Sequence, residues 1–154
     1  MKIIKEEVLS SELKESLLQL WNNEYPASLN HEAIDDFDLY LKSLSNEKHY
    51  FLIDAENKIK AWAFTFLREN EVWFAIIIDS QIQGRGKGSL LIKELKKSND
   101  NLNGWVIDHE NEIKNNAAPY KSPLLFYVKN GFTVCSEIRI ENEKISAVKI
   151  NWKR

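Results

Sequence analysis

The residues best suited to chemistry lie in one stretch, Ile76-Ile77-Ile78-Asp79-Ser80-Gln81-Ile82-Gln83-Gly84-Arg85-Gly86-Lys87-Gly88-Ser89. An apolar run gives way to a turn holding three of the chain's five glycines, interleaved with Arg85 and Lys87. Leu90, Leu91 and Leu95 then recur at helical spacing. Glycine permits positive φ and close approach of a ligand to the backbone. A helix start points bare N–H groups outward, and its dipole favours an anion. With two cations added, the segment reads as a cradle for a phosphate or pyrophosphate. Two familiar phosphate patterns fail. G-x-x-x-x-G-K-[ST] would need glycine where Gln81 stands and Ser or Thr where Gly88 stands. G-x-G-x-x-G fails because the spacing here is G-x-G-x-G. The pattern [RQ]-x-x-G-x-[GA] fits, on Gln83, Gly86 and Gly88.

The cradle needs a scaffold, and the periodicity supplies one. Residues 2–9 read as a strand, and Ser10 or Ser11 can cap a helix carrying Leu13, Leu17, Leu18, Leu20 and Trp21. Pro26 stops that helix. A second helix fits residues 32–44. Strands are expected at 49–54 and 59–67, the latter with Trp62, Phe64 and Phe66 on one face and Ala61, Ala63 and Thr65 on the other. Residues 72–78 are apolar on both faces, as in a covered central strand. A helix at 89–97, a strand at 104–108, a loop at 111–121, a helix at 124–129 and closing strands at 132–140 and 145–152 complete the order β-α-α-β-β-β-α-β-α-β-β. The fold class is α/β (α+β).

The chain has 154 residues and 18.0 kDa, so one domain over residues 1–154 is expected. Net charge is −2, from 21 basic and 23 acidic residues, which gives no footprint for nucleic acid. No apolar run approaches the ~20 residues of a membrane span, and no targeting segment is evident, so a cytoplasmic protein is expected. The single Cys135 excludes a disulfide framework and a multi-cysteine zinc site. His31 and His49 have no ligand pattern around them, so no metal is expected.

The [RQ]-x-x-G-x-[GA] pattern between a fourth strand and a third helix resembles the coenzyme A pyrophosphate motif of the GNAT superfamily of acyl-CoA-dependent N-acyltransferases. Phe126-Tyr127-Val128-Lys129-Asn130-Gly131-Phe132 resembles the family's F-Y-x-K-x-G-F segment. The order of elements agrees over nearly the whole chain. There are departures: Ser80 replaces a frequent Pro, and Tyr120 and Pro123 stand where the family often has Asn and Ala.

The resemblance implies a mixed, mostly antiparallel sheet flanked by helices, with acetyl-CoA as cosubstrate. The backbone of Ile76, Ile77 and Ile78 would pair with the pantetheine arm where the fourth and fifth strands splay. Gln83, Gly84, Arg85, Gly86, Lys87, Gly88 and Ser89 would hold the pyrophosphate, mainly by backbone N–H groups. Tyr127 matches the family's general acid toward the leaving thiolate. For the base, His109 has the best ordinary pKa, Glu71 is another candidate, and water can serve. Tyr25, Trp62, Trp73 and Asp108 are candidates to line the acceptor pocket, with Glu24, Asp36 and Asp38 as carboxylates suited to an ammonium. The implied reaction is direct transfer of acetyl to a primary amine, of a small molecule or a peptide. The alternatives are a non-catalytic acyl-CoA sensor or adaptor and a nucleotide-phosphate binder. A monomer or a homodimer is compatible with the sequence.

Overall fold

A computed structural model describes all 154 residues. Strand β1 (Lys2–Glu6) leads into helix α1 (Ser11–Glu24), capped by the Ser10 hydroxyl, which accepts from the Leu13 N–H at 3.2 Å. A single 3-10 turn at Ala27–Leu29 precedes α2 (Ile34–Lys42). Strands β2 (Ser45–Ile53), β3 (Ile59–Arg68) and β4 (Glu71–Ile78) form an antiparallel meander. After a 3-10 turn at Ser80–Ile82 come α3 (Lys87–Ser98), β5 (Asn101–Val106), α4 (Leu124–Lys129), β6 (Thr133–Glu141) and β7 (Ser146–Lys153). The seven strands lie in the order β1-β2-β3-β4-β5-β7-β6, and only β4 and β5 run parallel. The expected element order and mixed sheet are those observed. No helix is long and apolar enough to cross a membrane.

The sheet separates two cores. Trp62, Phe64 and Phe66 of β3 pack with Leu17, Leu20 and Trp21 of α1 and Phe37 and Leu41 of α2. Ala61 and Ala63, pointing the other way, pack with Leu91, Ile92 and Leu95 of α3 and Tyr127 of α4. Large residues on one face of β3 and alanines on the other thus match a thick helical layer and a close one, as the period of two requires.

Several boundaries differ from the sequence reading. β2 starts at Ser45, four residues early, through an irregularity between Ser45 and Lys48 where Asn46 takes φ 52°. β5 covers Asn101–Val106 instead of 104–108. Asparagine disfavours strands, but here the amides serve the sheet. The Asn151 Nδ2 donates to Asn101 Oδ1 at 2.7 Å and to Asn103 Oδ1 at 2.8 Å. The fully buried Asn103 donates from Nδ2 to the Val72 C=O at 3.1 Å. This ladder, buried at Asn103, fastens β7 to β5 and β5 to β4.

His49 is a core residue, 1% exposed, among Phe51, Trp62 and Phe64. Its Nδ1 accepts from Trp62 Nε1 at 3.1 Å, and its Nε2 has no partner. Burial lowers its pKa to about 4, against an ordinary value near 6.5. The unfolded chain therefore binds the proton more readily, and stability falls as pH drops from 6.5 through 4. The interval corresponds to about 3 kcal/mol. Denaturant unfolding is expected to show this acid-side loss beginning above the carboxylate range, and His49→Phe should flatten it. An unchanged slope between pH 6.5 and 4.5 in that variant would assign the loss elsewhere.

Candidate active site

β4 and β5 pair at one position only, Trp73 with Asn103, and diverge beyond it. Backbone groups of a strand alternate in direction. The Asp79 N–H donates to the Lys60 C=O of β3 at 2.9 Å, and the Val72 C=O accepts from Asn103 of β5. Residues in step with Val72 therefore turn their backbone toward β5, so Ile76 and Ile78 face the gap. The expectation for Ile77 is corrected. Its backbone turns to β3, where it pairs with Trp62, and its side chain is 2% exposed. The Gln83 side chain bends back to donate to the Ile78 C=O at 2.9 Å. That bond ties the turn to the mouth of the gap.

The turn itself is built for bare backbone. Asp79 caps it by accepting from the Gln81 N–H at 2.8 Å. Gly84 and Gly86 both take φ 76°, and a Cβ on either would meet nothing within 4 Å. The backbone N–H groups of the six residues 84–89 donate to no acceptor in the protein. They ring the start of the 12-residue α3, where the helix dipole adds to their pull on an anion. Arg85 is exposed, Lys87 half-exposed, and neither is held in an ion pair. Gly88 has a different role. A Cβ there would lie 2.7 Å from the Phe126 ring and 2.8 Å from Ile78 Cδ1, so this glycine lets α3 close onto β4 and α4.

α4 brings Tyr127 to the same gap. Its ring packs edge-on against Phe74 of β4 at 5.7 Å, Phe126 at 5.0 Å and Phe132 at 5.6 Å. Its hydroxyl makes no hydrogen bond to the protein and is not sealed off, unlike the orphaned His49 Nε2. Burial raises its pKa, and Tyr120 nearby raises it further. Tyr25, closing the C-terminus of α1, is also raised by burial, then by Tyr120 and Tyr127, and Tyr120 is pushed up to about 12. Three phenols from α1, the 107–123 segment and α4 thus gather near one another, all protonated at neutral pH. Tyr120 entered the sequence reading only as a departure from the family pattern, with no sign of these neighbours.

Other expected site residues lie elsewhere. Trp62 is 0% exposed with its N–H given to His49, so it belongs to the core and lines no pocket. Trp73 is at the closed end of the gap, about 17 Å of strand from Ile78, between Trp105 and the Arg68 and Lys149 cations. Glu71 is further away still, at the start of β4 beside Lys149. Both Asp108 oxygens are taken by Arg139 of β6, at 2.8 and 3.1 Å, which holds this carboxyl below the usual range. Asp38 is occupied by Lys14 and Lys42. His109 accepts at Nδ1 from the Asn111 N–H at 3.2 Å. A neutral imidazole has one basic nitrogen. That nitrogen is engaged, so His109 is not poised as a base.

The sequence reading missed an interaction across the mouth of the gap. Glu24, whose side chain is 9% exposed, accepts from the Ser80 N–H at 2.9 Å and from Lys114 Nζ at 3.0 Å. The partners are 56 and 90 residues distant in sequence. The 107–123 segment leaves β5, crosses to the end of α1 and returns to α4. The Ala27 N–H donates to the Ile113 C=O at 2.8 Å, and the Asn115 amide to the Asn22 C=O at 3.0 Å. Its base is closed by the Ser122 hydroxyl, which donates to the Ile107 C=O at 2.5 Å.

A splayed parallel strand pair, a glycine turn of bare N–H groups at a helix start, and a phenol beside the gap thus lie together along β4. The model of the "Acetyltransferase (GNAT) domain" matches residues 8–154, and the chain belongs to that family. No curated protein sequence matches it significantly. Among solved structures, an aminoglycoside 6'-N-acetyltransferase complexed with coenzyme A superposes with TM-score 0.73 at 12% identity, covering 99% of this chain and 97% of that one. A spermidine N-acetyltransferase from Vibrio cholerae gives 0.67 at 16%, covering 99% and 95%. A GNAT superfamily phosphinothricin acetyltransferase from Sinorhizobium meliloti in complex with AcCoA gives 0.67 at 10%, covering 99% and 89%. At these identities the likeness is one of fold.

Proposed function

We propose that the protein transfers an acetyl group from acetyl-CoA to a primary amine, by direct attack while both are bound. The observation that carries this reading is the convergence of the six unpartnered N–H groups, the β4–β5 gap and the Tyr127 hydroxyl. Acetyl-CoA supplies an activated acyl group on a sulfur that leaves as thiolate.

The residues divide the work as follows. The N–H groups of Gly84, Arg85, Gly86, Lys87, Gly88 and Ser89 hold the pyrophosphate, with Arg85 and Lys87 adding charge. The backbone of Ile76 and the N–H of Ile78 face the gap and pair with the pantetheine arm, while the Ile78 C=O stays with Gln83. The Ile78 N–H lies where it can stabilise oxyanion charge as the amine attacks. Tyr127, protonated throughout the neutral range, donates to sulfur as negative charge gathers there. Desolvation that raises a phenol also raises a thiolate, so the transfer stays matched. Near the gap the Glu24 and Asp108 carboxylates and the His109 imidazole are all engaged, so the proton of the amine leaves through water.

Calorimetry with acetyl-CoA, followed by thiol release over a panel of primary amines, tests the reading. Saturable binding with amine-dependent release is expected. Binding without release across the panel would make the chain an acyl-CoA-binding domain, and competition by ATP but not by coenzyme A would make it a nucleotide-phosphate binder.

A further inference from the structure

We infer that the acceptor is a small polar polyamine, entering through the groove between the end of α1, the 79–81 turn and the 107–123 segment, and that one of its ammonium groups exchanges with Lys114 on Glu24 while a second nitrogen, its proton lost to water, attacks. The inference rests on the acetyltransferase reading and narrows it.

An amine attacking at Ile78 has few ways in. α3 and α4 flank the gap on the face of the glycine turn. On the opposite face, an acceptor carried by a polypeptide would need a channel open at both ends, to seat the residues flanking the reactive nitrogen. Hydrogen bonds cross that route at two places, beside a groove of about 840 Å³ that Ser28, Asn115 and Lys144 help to line. The Ser28 hydroxyl donates to the Lys144 C=O at 2.9 Å, joining the α1–α2 connection to the β6–β7 turn. The Ala27–Ile113 and Asn22–Asn115 bonds join that connection and the end of α1 to the 107–123 segment. A peptide would have to break these bonds and leave backbone groups unpaired, at about 1 kcal/mol or more each.

Beside the 79–81 turn lies a groove of about 470 Å³ with no apolar residue in its lining. Glu24, Asp79, Ser80, Gln81, Lys114 and Asn115 form its walls. Such a lining suits a polar ligand and rejects an aliphatic or aromatic amine, which would gain no apolar contact. Inside it, Lys114 already shows the interaction an acceptor would use, an alkylammonium on the Glu24 carboxylate. Asp79 has a weaker hold on Lys60, at 3.6 Å. Displacing a tethered ammonium by a free one exchanges like for like. The carboxylate never lacks a partner, which limits the cost of opening.

The test compares spermidine and an aminoglycoside with a lysine-bearing peptide, using the full chain. Acetyl-CoA affinity by calorimetry is the control. We expect kcat/KM for at least one small polyamine to exceed that for the peptide by about tenfold or more. Glu24→Gln should raise the amine KM about tenfold. Lys114→Met should lower it, because the internal competitor is gone. Neither should change acetyl-CoA affinity by more than about twofold. A peptide used as well as the small amines, or an amine KM that rises in Lys114→Met, overturns the inference while the acetyltransferase reading stands. Acetyl-CoA binding with turnover on neither class also overturns it. Absence of acetyl-CoA binding overturns the reading on which it rests.

Discussion

Tyr127→Phe is expected to lower kcat by about 10²-fold or more, with acetyl-CoA affinity unchanged. The substitution removes one oxygen that bonds to nothing in the protein. Folding stability should therefore stay within about 0.5 kcal/mol of the parent. The ring contacts with Phe74, Phe126 and Phe132 survive. A loss confined to kcat marks an interaction made only as the sulfur departs. The pH profile adds a second readout. Because burial raises this phenol, the alkaline limb below about pH 10 belongs to other groups and should be present in the variant too. Unaltered turnover would remove Tyr127 from the mechanism.

Gly88→Val should produce the largest loss of coenzyme affinity. Its Cβ would fall within 2.8 Å of the Phe126 ring and Ile78 Cδ1, and two methyl groups follow. Relief displaces the Phe126 and Ile78 side chains or moves α3 away from β4, and either disturbs the row of N–H groups beside the gap. Overpacking of this kind costs about 1–3 kcal/mol of stability, and acetyl-CoA affinity should fall more than tenfold. Gly84→Ala makes the instructive comparison. Its Cβ meets nothing within 4 Å, yet φ 76° disfavours any side chain, by about 1–2 kcal/mol. Calorimetry on both variants separates the two roles. Equal coenzyme affinity in Gly88→Val and the parent would detach the helix position from binding.

Much of this was legible in the chain itself, and the reasons are particular. Trp62, Phe64 and Phe66 alternate with Ala61, Ala63 and Thr65, so β3 declares both its faces. The glycine turn is short and local, and nothing distant is needed to shape it. Where the reading failed, the deciding partner was far away. The direction of the Ile77 backbone depends on its pairing with β3, not on its own apolar neighbours. Trp62 looks equally fit for a pocket or a core until His49 is seen to accept its N–H. Asn101 and Asn103 argue against a strand until Asn151, opposite Asn103, is seen to donate to both. The Glu24–Lys114 pair spans 90 residues with no periodicity to betray it.

The asparagine ladder has a consequence for timing. Asn103, bound on one side to Val72 and on the other to Asn151, acts as a rivet at the narrow end of the β4–β5 gap. With Phe74 laid against Gly104 just beyond it, the strands cannot zip shut when nothing lies between them. Sliding β5 along to close the space would strand the buried Asn103 amide and its half-buried partner Asn151. The gap is thus paid for once, during folding, and a ligand meets a slot already open. Encounter, and not a slow rearrangement of the sheet, then governs how quickly that slot is filled.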